Sequence, residues 1–330
     1  MFFSVIIPTY NPRAYLPRLL ESISKNDCLE EIEVIVSDDC SKEWFKDIFH
    51  EFPQLNIRTI VNDRHYGFPR NGRENGAQEA HGKWICFADQ DDFFIDHAFD
   101  NIKKHIEEHG ASNYIAANFI KLYANTGERE LISGLCGWTH GKFFEKTFWD
   151  NHDIHYENIE YCEDTNLSTL VQCIMIDENK YIRVIDNPVY VWYRRSDSLA
   201  DDDYFAKSFP DYIRATFGVI LPFVEKHATD RNQTMFGNFT YLYLKTLLHL
   251  YFYSQALLFR HEKKAMIEAM AFMFPYHEQF RNIVGCTNQD IAERMKSDLF
   301  SLYCEARDND CKQISFVEQM SFDEFLRWYL

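Results

Sequence analysis

The stretch Lys83-Trp-Ile-Cys-Phe-Ala-Asp-Gln-Asp-Asp92 joins a short apolar run to a cluster of carboxylates. The run has the length of a buried strand, and Asp89 and Asp91 follow it two residues apart, so both project to the same side. Neighbouring carboxylates raise one another's pKa unless a cation lies between them, and oxygen ligands suit Mg2+ or Mn2+. The stretch predicts a cation site. The alternative is an acidic turn that caps a helix starting near Asp96.

Short apolar runs alternate with amphipathic stretches up to residue 125. Strands are predicted at 3–7, 32–36, 56–61 and 83–88, and helices at 13–26, 42–51 and 70–81. This alternation, with nearly continuous apolar strands, predicts an α/β fold in which helices cover both faces of a mostly parallel central sheet. Ligands bind such sheets at the carboxyl ends of the strands, which is where the acidic cluster lies.

The pattern changes twice after residue 125. Between 126 and 200 it predicts a helix at 163–176 and strands at 181–186 and 189–193, and beyond 200 it predicts helices alone. We therefore expect three parts: a nucleotide-binding half at 1–125, an acceptor-side half at 126–200 and a helical region at 201–330. The helix expected at 239–259 has only a narrow polar stripe, which core packing, a homodimer contact or peripheral membrane contact would explain.

Composition restricts the class of protein. The 330 residues carry a net charge of −17, which argues against nucleic acid as a partner because phosphate contacts need clustered Lys and Arg. Nine scattered cysteines without Cys-x-x-Cys spacing indicate reduced thiols. The N-terminus lacks a basic region and a cleavage site, and no apolar run is long enough to span a bilayer. These features predict a cytoplasmic protein, with the inner face of the membrane as a second location.

Two further polar segments lie between the predicted strands and helices. Asp38 and Asp39 end the second strand, where a carboxylate can accept the imide N–H of a uracil ring; helix capping by Ser41 is the alternative. The loop from Asn62 runs into a helix at Arg70, which could serve a diphosphate together with the helix N-terminus. An ordinary surface arginine is the alternative for Arg70.

Four segments together resemble glycosyltransferase family 2, whose members include bacterial surface-polysaccharide and cell-envelope enzymes. They are Ser4-Val-Ile-Ile-Pro-Thr-Tyr-Asn11, Val36-Ser-Asp-Asp-Cys-Ser41, Arg70-Asn71 and Gly82-Lys-Trp-Ile-Cys-Phe-Ala-Asp-Gln-Asp-Asp92. The resemblance is dense over residues 3–95, weaker to about 200 and absent beyond. It implies the GT-A fold and inverting, metal-assisted transfer of a sugar from a UDP-sugar to a hydroxyl of a glycan or glycan-like acceptor.

The resemblance also implies roles for single residues. Pro8, Tyr10 and Asp39 would frame the base, with Asp39 against uracil. Arg70 would reach the donor, Asp89 the ribose and Asp91 the metal, with Mn2+ or Mg2+ as cofactor. One departure is Cys40, since the family commonly has glycine there and the turn must therefore accept a side chain.

The family's catalytic base resembles the Glu163-Asp164 pair, which opens the predicted helix at 163–176. We expect Asp164 to deprotonate the acceptor hydroxyl, with Glu163 as the rival base. Helix capping by Asp164 is the alternative. The segment Trp138–Lys142 resembles the one that approaches the donor sugar and acceptor, and Arg194 and Arg195 fall in a segment that resembles the loop closing over the diphosphate.

Two other classes of protein remain open. A nucleotidyltransferase of related fold would use aspartates and a metal in a similar way, although its Gly-rich basic loop is missing after the first strand. A non-catalytic sugar-nucleotide-binding assembly module would work through its helical tail. A dinucleotide-binding dehydrogenase is disfavoured, because Pro8-Thr-Tyr-Asn11 stands where G-x-G-x-x-G is required.

Overall fold

A nine-stranded sheet organises the computed structural model, which describes residues 1–110, 112–157, 159, 163–195 and 216–227. In chain order the strands are β1 Phe3–Thr9, β2 Ile32–Asp38, β3 Asn56–Val61, β4 Trp84–Phe87, β5 Phe93–Phe94, β6 Tyr114–Tyr123, β7 Arg129–Ile132, β8 Lys142–Glu145 and β9 Arg183–Arg194. The helices are α1 Leu16–Ser24, α2 Pro69–Gln78, α3 Ala98–His109, α4 Lys146–Asn151, α5 Glu163–Asp177 and α6 Leu221–His227.

The first half of the sheet is the predicted parallel one. β1 lies between β2 and β4, and β3 pairs with the outer side of β2, all in parallel. Every residue of β1, β2 and β4 is buried, as their apolar sequences predict. The register places Thr9 opposite Asp38, so the polar ends of β1 and β2 meet at one edge of the sheet, beside the end of β4.

The second half of the sheet is mixed, so the expectation of a mostly parallel sheet holds only for β1–β4. β8 is antiparallel to both β4 and β6, β5 is antiparallel to β9 and β7 to β6, while β9 runs parallel to β6. β9 is one strand and not the two expected. Its middle bulges opposite Asn118, whose side-chain amide donates to the carbonyl of Asp186 at 2.9 Å.

The segment 42–51 differs from its prediction as an α-helix, because only a 3-10 helix forms, at Lys46–Glu51. The residues before it serve a neighbouring loop. The Lys42 N–H donates to Asn11 Oδ1 at 2.9 Å, and the Ser41 hydroxyl bonds to Asp38. Ser41 therefore does not cap this helix, whose N-cap is Phe45 without a side-chain bond.

Aromatic and aliphatic side chains fill the space between the sheet and the helices. The buried face of α1 consists of Leu16, Leu19, Leu20 and Ile23, which repeat with the predicted helical period. Phe3 packs edge-on against Phe99 of α3 and Phe143 of β8, with ring centroids 5.2 and 5.9 Å apart. Helix α3 thereby fixes the middle of the sheet.

The chain divides into two compact units. The first contains residues 1–158, 163–168 and 180–198 and therefore the whole sheet. In the second, the described residues are 159, 169–179 and 216–227, where His227 Nδ1 lies 2.8 Å from Asp177 Oδ2. The expected helices of 201–330, including 239–259, lie outside the described residues apart from 216–227. Among the described helices, none has the length and apolar character needed to cross a membrane.

A buried glutamate joins β2 to the turn before β4. Glu33 is 2% exposed; its Oε1 accepts from the Ser4 hydroxyl at 2.5 Å and from the His81 and Gly82 N–H groups at 2.6 and 3.1 Å. Arg58 Nε lies 3.2 Å from Oε2. Burial alone would raise the pKa of Glu33, but these hydrogen bonds and Arg58 outweigh it and hold the pKa below its ordinary value.

We expect Glu33→Ala to lower the free energy of unfolding by about 3 kcal/mol, because it leaves buried donors and Arg58 without their acceptor. The pKa of Glu33 is lower in the folded than in the unfolded protein. Its contribution to stability is therefore present above the pKa of the unfolded state and is lost as the pH falls through the pKa of the folded state. Urea unfolding between pH 3 and 7 should show a weaker acid dependence in Glu33→Gln. Glu30→Gln, an exposed site, is the control; an equal effect there would contradict this prediction.

Candidate active site

Three aspartates of one turn after β4 have three different sets of partners. Asp89 Oδ1 accepts from Arg73 Nη2 at 2.7 Å, and Asp91 Oδ2 accepts from Arg195 Nε at 2.8 Å. Asp92 is 1% exposed and accepts from the Tyr190 hydroxyl and the Tyr193 N–H, both at 2.7 Å. None of the three caps α3, whose N-cap is His97 without a side-chain bond. The acidic turn therefore does not cap the helix, and that alternative is wrong.

Asp91 has the environment expected of a cation ligand. Burial, followed by repulsion from Asp89, raises its pKa, and Arg195 offsets part of that rise. The Arg195 guanidinium also bonds to the Tyr15 hydroxyl at 2.6 Å. Carboxylate oxygens that are partly exposed and destabilised by each other's charge fit Mg2+ or Mn2+, so Asp91, with Asp89 beside it, could hold such an ion.

Arg73 connects the acidic turn to the predicted catalytic pair. Its side chain is 5% exposed, and its two terminal nitrogens donate to Asp89 Oδ1 at 2.7 Å and Glu163 Oε1 at 2.6 Å. Burial would raise the pKa of Asp89, but Arg73 outweighs it and holds that pKa below its ordinary value. The guanidinium also lies over the Tyr156 ring, 5.5 Å from its centroid.

Arg73, and not the predicted Arg70, is the arginine of α2 that pairs with Asp89. Arg70 lies in the first turn of α2, and its Nη2 donates to Asn71 Oδ1 at 3.2 Å. The buried face of α2 consists of Gly72, Arg73, Gly76 and Ala77. That helical spacing is the signal that could have identified Arg73 as the arginine facing inward. The role of Arg70 toward the donor stays a prediction.

Glu163 and Asp164 open α5, as predicted, but have different partners. Glu163 is 8% exposed and paired with Arg73, and burial followed by repulsion from Asp164 raises its pKa. Asp164 is partly exposed, and its Oδ1 accepts from the Thr165 N–H at 2.7 Å. Burial also raises the pKa of Asp164, which favours a proton acceptor over a permanently ionised cap.

The carboxyl ends of β1 and β2 lie side by side at the edge of the sheet where base binding is predicted, which we name the base-binding edge. Tyr10 stacks on His65, with ring centroids 4.2 Å apart, and exchanges two hydrogen bonds with the Gln90 amide, at 2.9 and 3.2 Å. Gln90 was missed because an amide between aspartates carries no distinctive pattern. Pro8 is buried, and a Cβ added at Gly72 would lie 2.9 Å from its ring, so α2 covers it closely.

Asp39 anchors the loop that follows β3. Its oxygens accept from the Tyr66 and Gly67 N–H groups at 3.0 and 2.8 Å and from Asn62 Nδ2 at 2.7 Å. Burial alone would raise the pKa of Asp39, but these bonds lower it. Direct contact with uracil, which stays a prediction, requires one of these donors to move. The following Cys40 has a φ of +60°, so its side chain is accepted in the left-handed conformation that glycine adopts more easily.

A buried histidine faces the acidic turn from the other side. His140 stacks between the rings of Tyr190 and Trp192, at 5.4 and 5.3 Å, and its Nδ1 lies 4.0 Å from Asp92 Oδ2. Burial lowers its pKa to about 4, so the ring is neutral at pH 7. Ligand atoms of Asp89, Asp92 and His140 lie within 4.8 Å of one another, which no expectation from sequence included.

Residues 4–160 match the profile of Glycosyl transferase family 2. Residues 4–160 form a family 2 glycosyltransferase domain. The relatives include the poly(ribitol-phosphate) beta-N-acetylglucosaminyltransferase TarS of Staphylococcus aureus, at 34% identity over 33% of this chain and 19% of TarS. Another is the minor teichoic acid biosynthesis protein GgaB of Bacillus subtilis, at 32% identity over 39% of this chain and 15% of GgaB.

Solved structures show the same fold over more of the chain. A crystal structure of Staphylococcus aureus TarS 1-349 aligns with a TM-score of 0.66 at 20% sequence identity, and the alignment covers 97% of this chain and 90% of that one. The expected GT-A fold is therefore confirmed, with a mixed sheet in place of the mostly parallel one that was expected. The matched stretches remain a small fraction of the full relatives, at most about a fifth of the length of TarS or GgaB.

Tyr190→Phe tests the connection between β9 and the acidic turn. The Tyr190 hydroxyl donates to Asp92 at 2.7 Å and accepts from the Asp89 N–H at 3.0 Å, so its loss leaves two buried groups unsatisfied. We expect the free energy of unfolding to fall by about 1–3 kcal/mol. Tyr123→Phe is the matched control, since that hydroxyl lies 3.4 Å from the exposed Glu130. Equal urea midpoints for both variants and the parent would contradict the assignment.

Proposed function

We propose that this protein transfers a sugar from a UDP-sugar to a hydroxyl of a glycan or glycan-like acceptor, with inversion at the anomeric carbon. One observation carries the proposal: Arg73 ties Asp89, on the nucleotide side, to Glu163, beside the expected base, within a family 2 glycosyltransferase domain. A binding module without catalysis has no need for a partly exposed, proton-accepting Asp164 next to that pair.

The fold and the side chains at the strand ends support a UDP-sugar as the donor. TarS 1-349 has been crystallised with UDP and with UDP-GlcNAc, at TM-scores of 0.54 to this chain. Here the Tyr10 ring and the Asp39-anchored loop border a site for the base, and Asp89 borders one for the ribose. Arg194, with its guanidinium 5.8 Å from the Trp192 ring, and Arg195 are the cations proposed for the diphosphate.

The proposed reaction needs one proton acceptor and one region of positive charge. Asp164 takes the proton of the acceptor hydroxyl, whose oxygen bonds to the anomeric carbon as the bond from that carbon to the diphosphate oxygen breaks. Asp91 would hold a divalent cation, which would supply positive charge beside the leaving UDP. Arg73 holds Glu163 in an ion pair, which leaves Asp164 as the carboxylate able to accept the proton.

The acceptor is proposed by class only. TarS is named for poly(ribitol-phosphate), GgaB for minor teichoic acid, and a Campylobacter jejuni relative for a GalNAc-containing undecaprenol diphosphate. We propose a bacterial envelope polymer or glycoconjugate as acceptor, reached from the cytoplasmic side of the membrane. The boundaries at 125 and 200 stay predictions. Peripheral membrane contact and a homodimer through 201–330 also stay predictions, since that region lies outside the described residues apart from 216–227.

Donor hydrolysis is the first experiment. UDP release from several UDP-sugars, without acceptor and with Mn2+, identifies a glycosyltransferase. A nucleotidyltransferase would instead release diphosphate from a nucleoside triphosphate and a sugar phosphate. A pure binding module would bind UDP-sugars without turnover. The proposal would be overturned if the protein neither released UDP nor transferred a sugar to any acceptor.

Asp91→Asn should lower the transfer rate at least about 100-fold and remove the Mn2+-dependence of UDP binding, because a catalytic cation contributes several kcal/mol. Calorimetric titration with UDP, with and without MnCl2, measures the second effect. The control is Asp96→Asn, an exposed carboxylate five positions further along that pairs with Lys25. Metal-stimulated turnover near the parent's in Asp91→Asn would contradict the assignment.

Asp164→Asn should bind the donor normally yet lose about 10² to 10⁴ in transfer rate, because the amide cannot accept a proton. Asparagine still caps a helix, so the free energy of unfolding should change little. A capping role predicts the reverse: normal turnover in Asp164→Asn and lost stability in Asp164→Ala. Glu163→Gln is measured beside them, and full loss in that variant alone would make Glu163 the base.

A further inference from the structure

Lys142 is a buried cation that the proposed mechanism does not use. It is the first residue of β8 and only 1% exposed. Within the part of the chain that the structure describes, no carboxylate forms an ion pair with it. An ammonium is costly to bury without a counter-charge, so its retention calls for a specific set of acceptors.

Three acceptors surround the Lys142 ammonium, as many as it has protons. Nζ donates to the carbonyls of Cys136 and Trp138 and to the Ser168 hydroxyl, the last at 3.2 Å. The two carbonyls belong to the segment 136–139, which we name the acceptor-side loop. Ser168 is fully buried on α5, one helical turn after Asp164. One side chain thereby ties the loop to the helix that carries the proposed base.

The acceptor-side loop lies directly on the first turn of α5. A Cβ added at Gly137 would come 2.7 Å from Thr165 Cγ2 and 2.8 Å from its hydroxyl, so only a glycine permits this approach. Thr165 follows Asp164 in sequence. A shift of the loop would therefore change the space next to the carboxylate of Asp164.

The same ammonium acts on Asp164 through its charge. Burial lowers the pKa of Lys142 to about 8, so it is still mostly protonated at pH 7. Charged groups that act on the pKa of Asp164 include Arg73 on α2, Lys142 and Asp89 at the end of β4, and Asp164 in turn raises the pKa of its neighbour Glu163. Arg73 and Lys142 lower the pKa of Asp164, while burial and Asp89 raise it and set the net direction.

We propose that Lys142 is a positioning residue for the transfer reaction: it fixes the acceptor-side loop against the first turn of α5, and its charge acts on the carboxylate of Asp164 beside that loop. The inference rests on the proposed function. Its two parts are separable, since the tether needs hydrogen-bond donors and the effect on Asp164 needs a charge. Glutamine at 142 keeps N–H donors without the charge, whereas methionine removes both.

The experiment measures the pH dependence of transfer and the amide hydrogen exchange of 136–139. In Lys142→Met and Lys142→Gln, the acid limb of the kcat profile should move up by about one pH unit, because Asp164 loses a cation that favours its ionised form. Exchange in the loop should speed up at least about 10-fold in Lys142→Met and less in Lys142→Gln. UDP affinity should stay unchanged in both, since neither variant touches the base-binding edge.

Lys146→Met is the matched control, because that lysine lies four positions further along and pairs with Asp150 at the surface. An unshifted acid limb together with parental exchange in 136–139 would overturn the proposal. If Lys142→Met does not fold, Lys142→Gln alone decides the charge effect. If the parent shows no transfer at all, the proposed function fails; loop exchange and a carbon-13 titration of the Asp164 carboxyl still test Lys142.

Discussion

The buried guanidinium of Arg73 is the contact on which the site depends. Its partners, Asp89 and Glu163, come from the end of β4 and the start of α5, separated by more than 70 residues. Leaving a buried charge unpaired costs several kcal/mol, so Arg73 requires its carboxylate partners in place. The ion pairs therefore hold the nucleotide side of the sheet and the catalytic helix in one geometry.

Close packing of α2 on β1 brings Arg73 to that position. A Cβ at Gly76 would lie 2.3 Å from Ile6 Cγ2, and one at Gly72 would lie 2.9 Å from Pro8. A larger residue at either site would lift the helix from the strand. Arg73 lies between these glycines on the same buried face. The close approach of α2 to β1 therefore also places the Arg73 guanidinium beside Asp89 and Glu163. The sheet positions the helix, and the helix positions the arginine.

The sequence predicted what local patterns determine. β1–β4 and α1 follow from apolar runs of the right length and period, and the acidic turn follows from its place after β4. The mixed half of the sheet was missed because the pairing of β6 with β8 and β9 depends on contacts far along the chain. At 42–51, bonds to Asn11 and Asp38 overrode helix propensity. The motif match favoured Arg70. The buried face of α2, however, determines which arginine faces inward, and that arginine is Arg73.

Partners distant in sequence also divide the acidic turn into separate roles. Asp89, Asp91 and Asp92 have the same chemistry. Arg73 outweighs burial and leaves Asp89 with a lowered pKa, whereas burial and repulsion raise the pKa of Asp91 and Asp92. Asp92 is held by Tyr190 and Tyr193 and cannot reach a ligand without breaking two buried bonds. Asp91 is paired with one partly exposed arginine. Replacing this one arginine contact with a metal ion costs less free energy than breaking the two hydrogen bonds of Asp92. The metal is therefore proposed at Asp91.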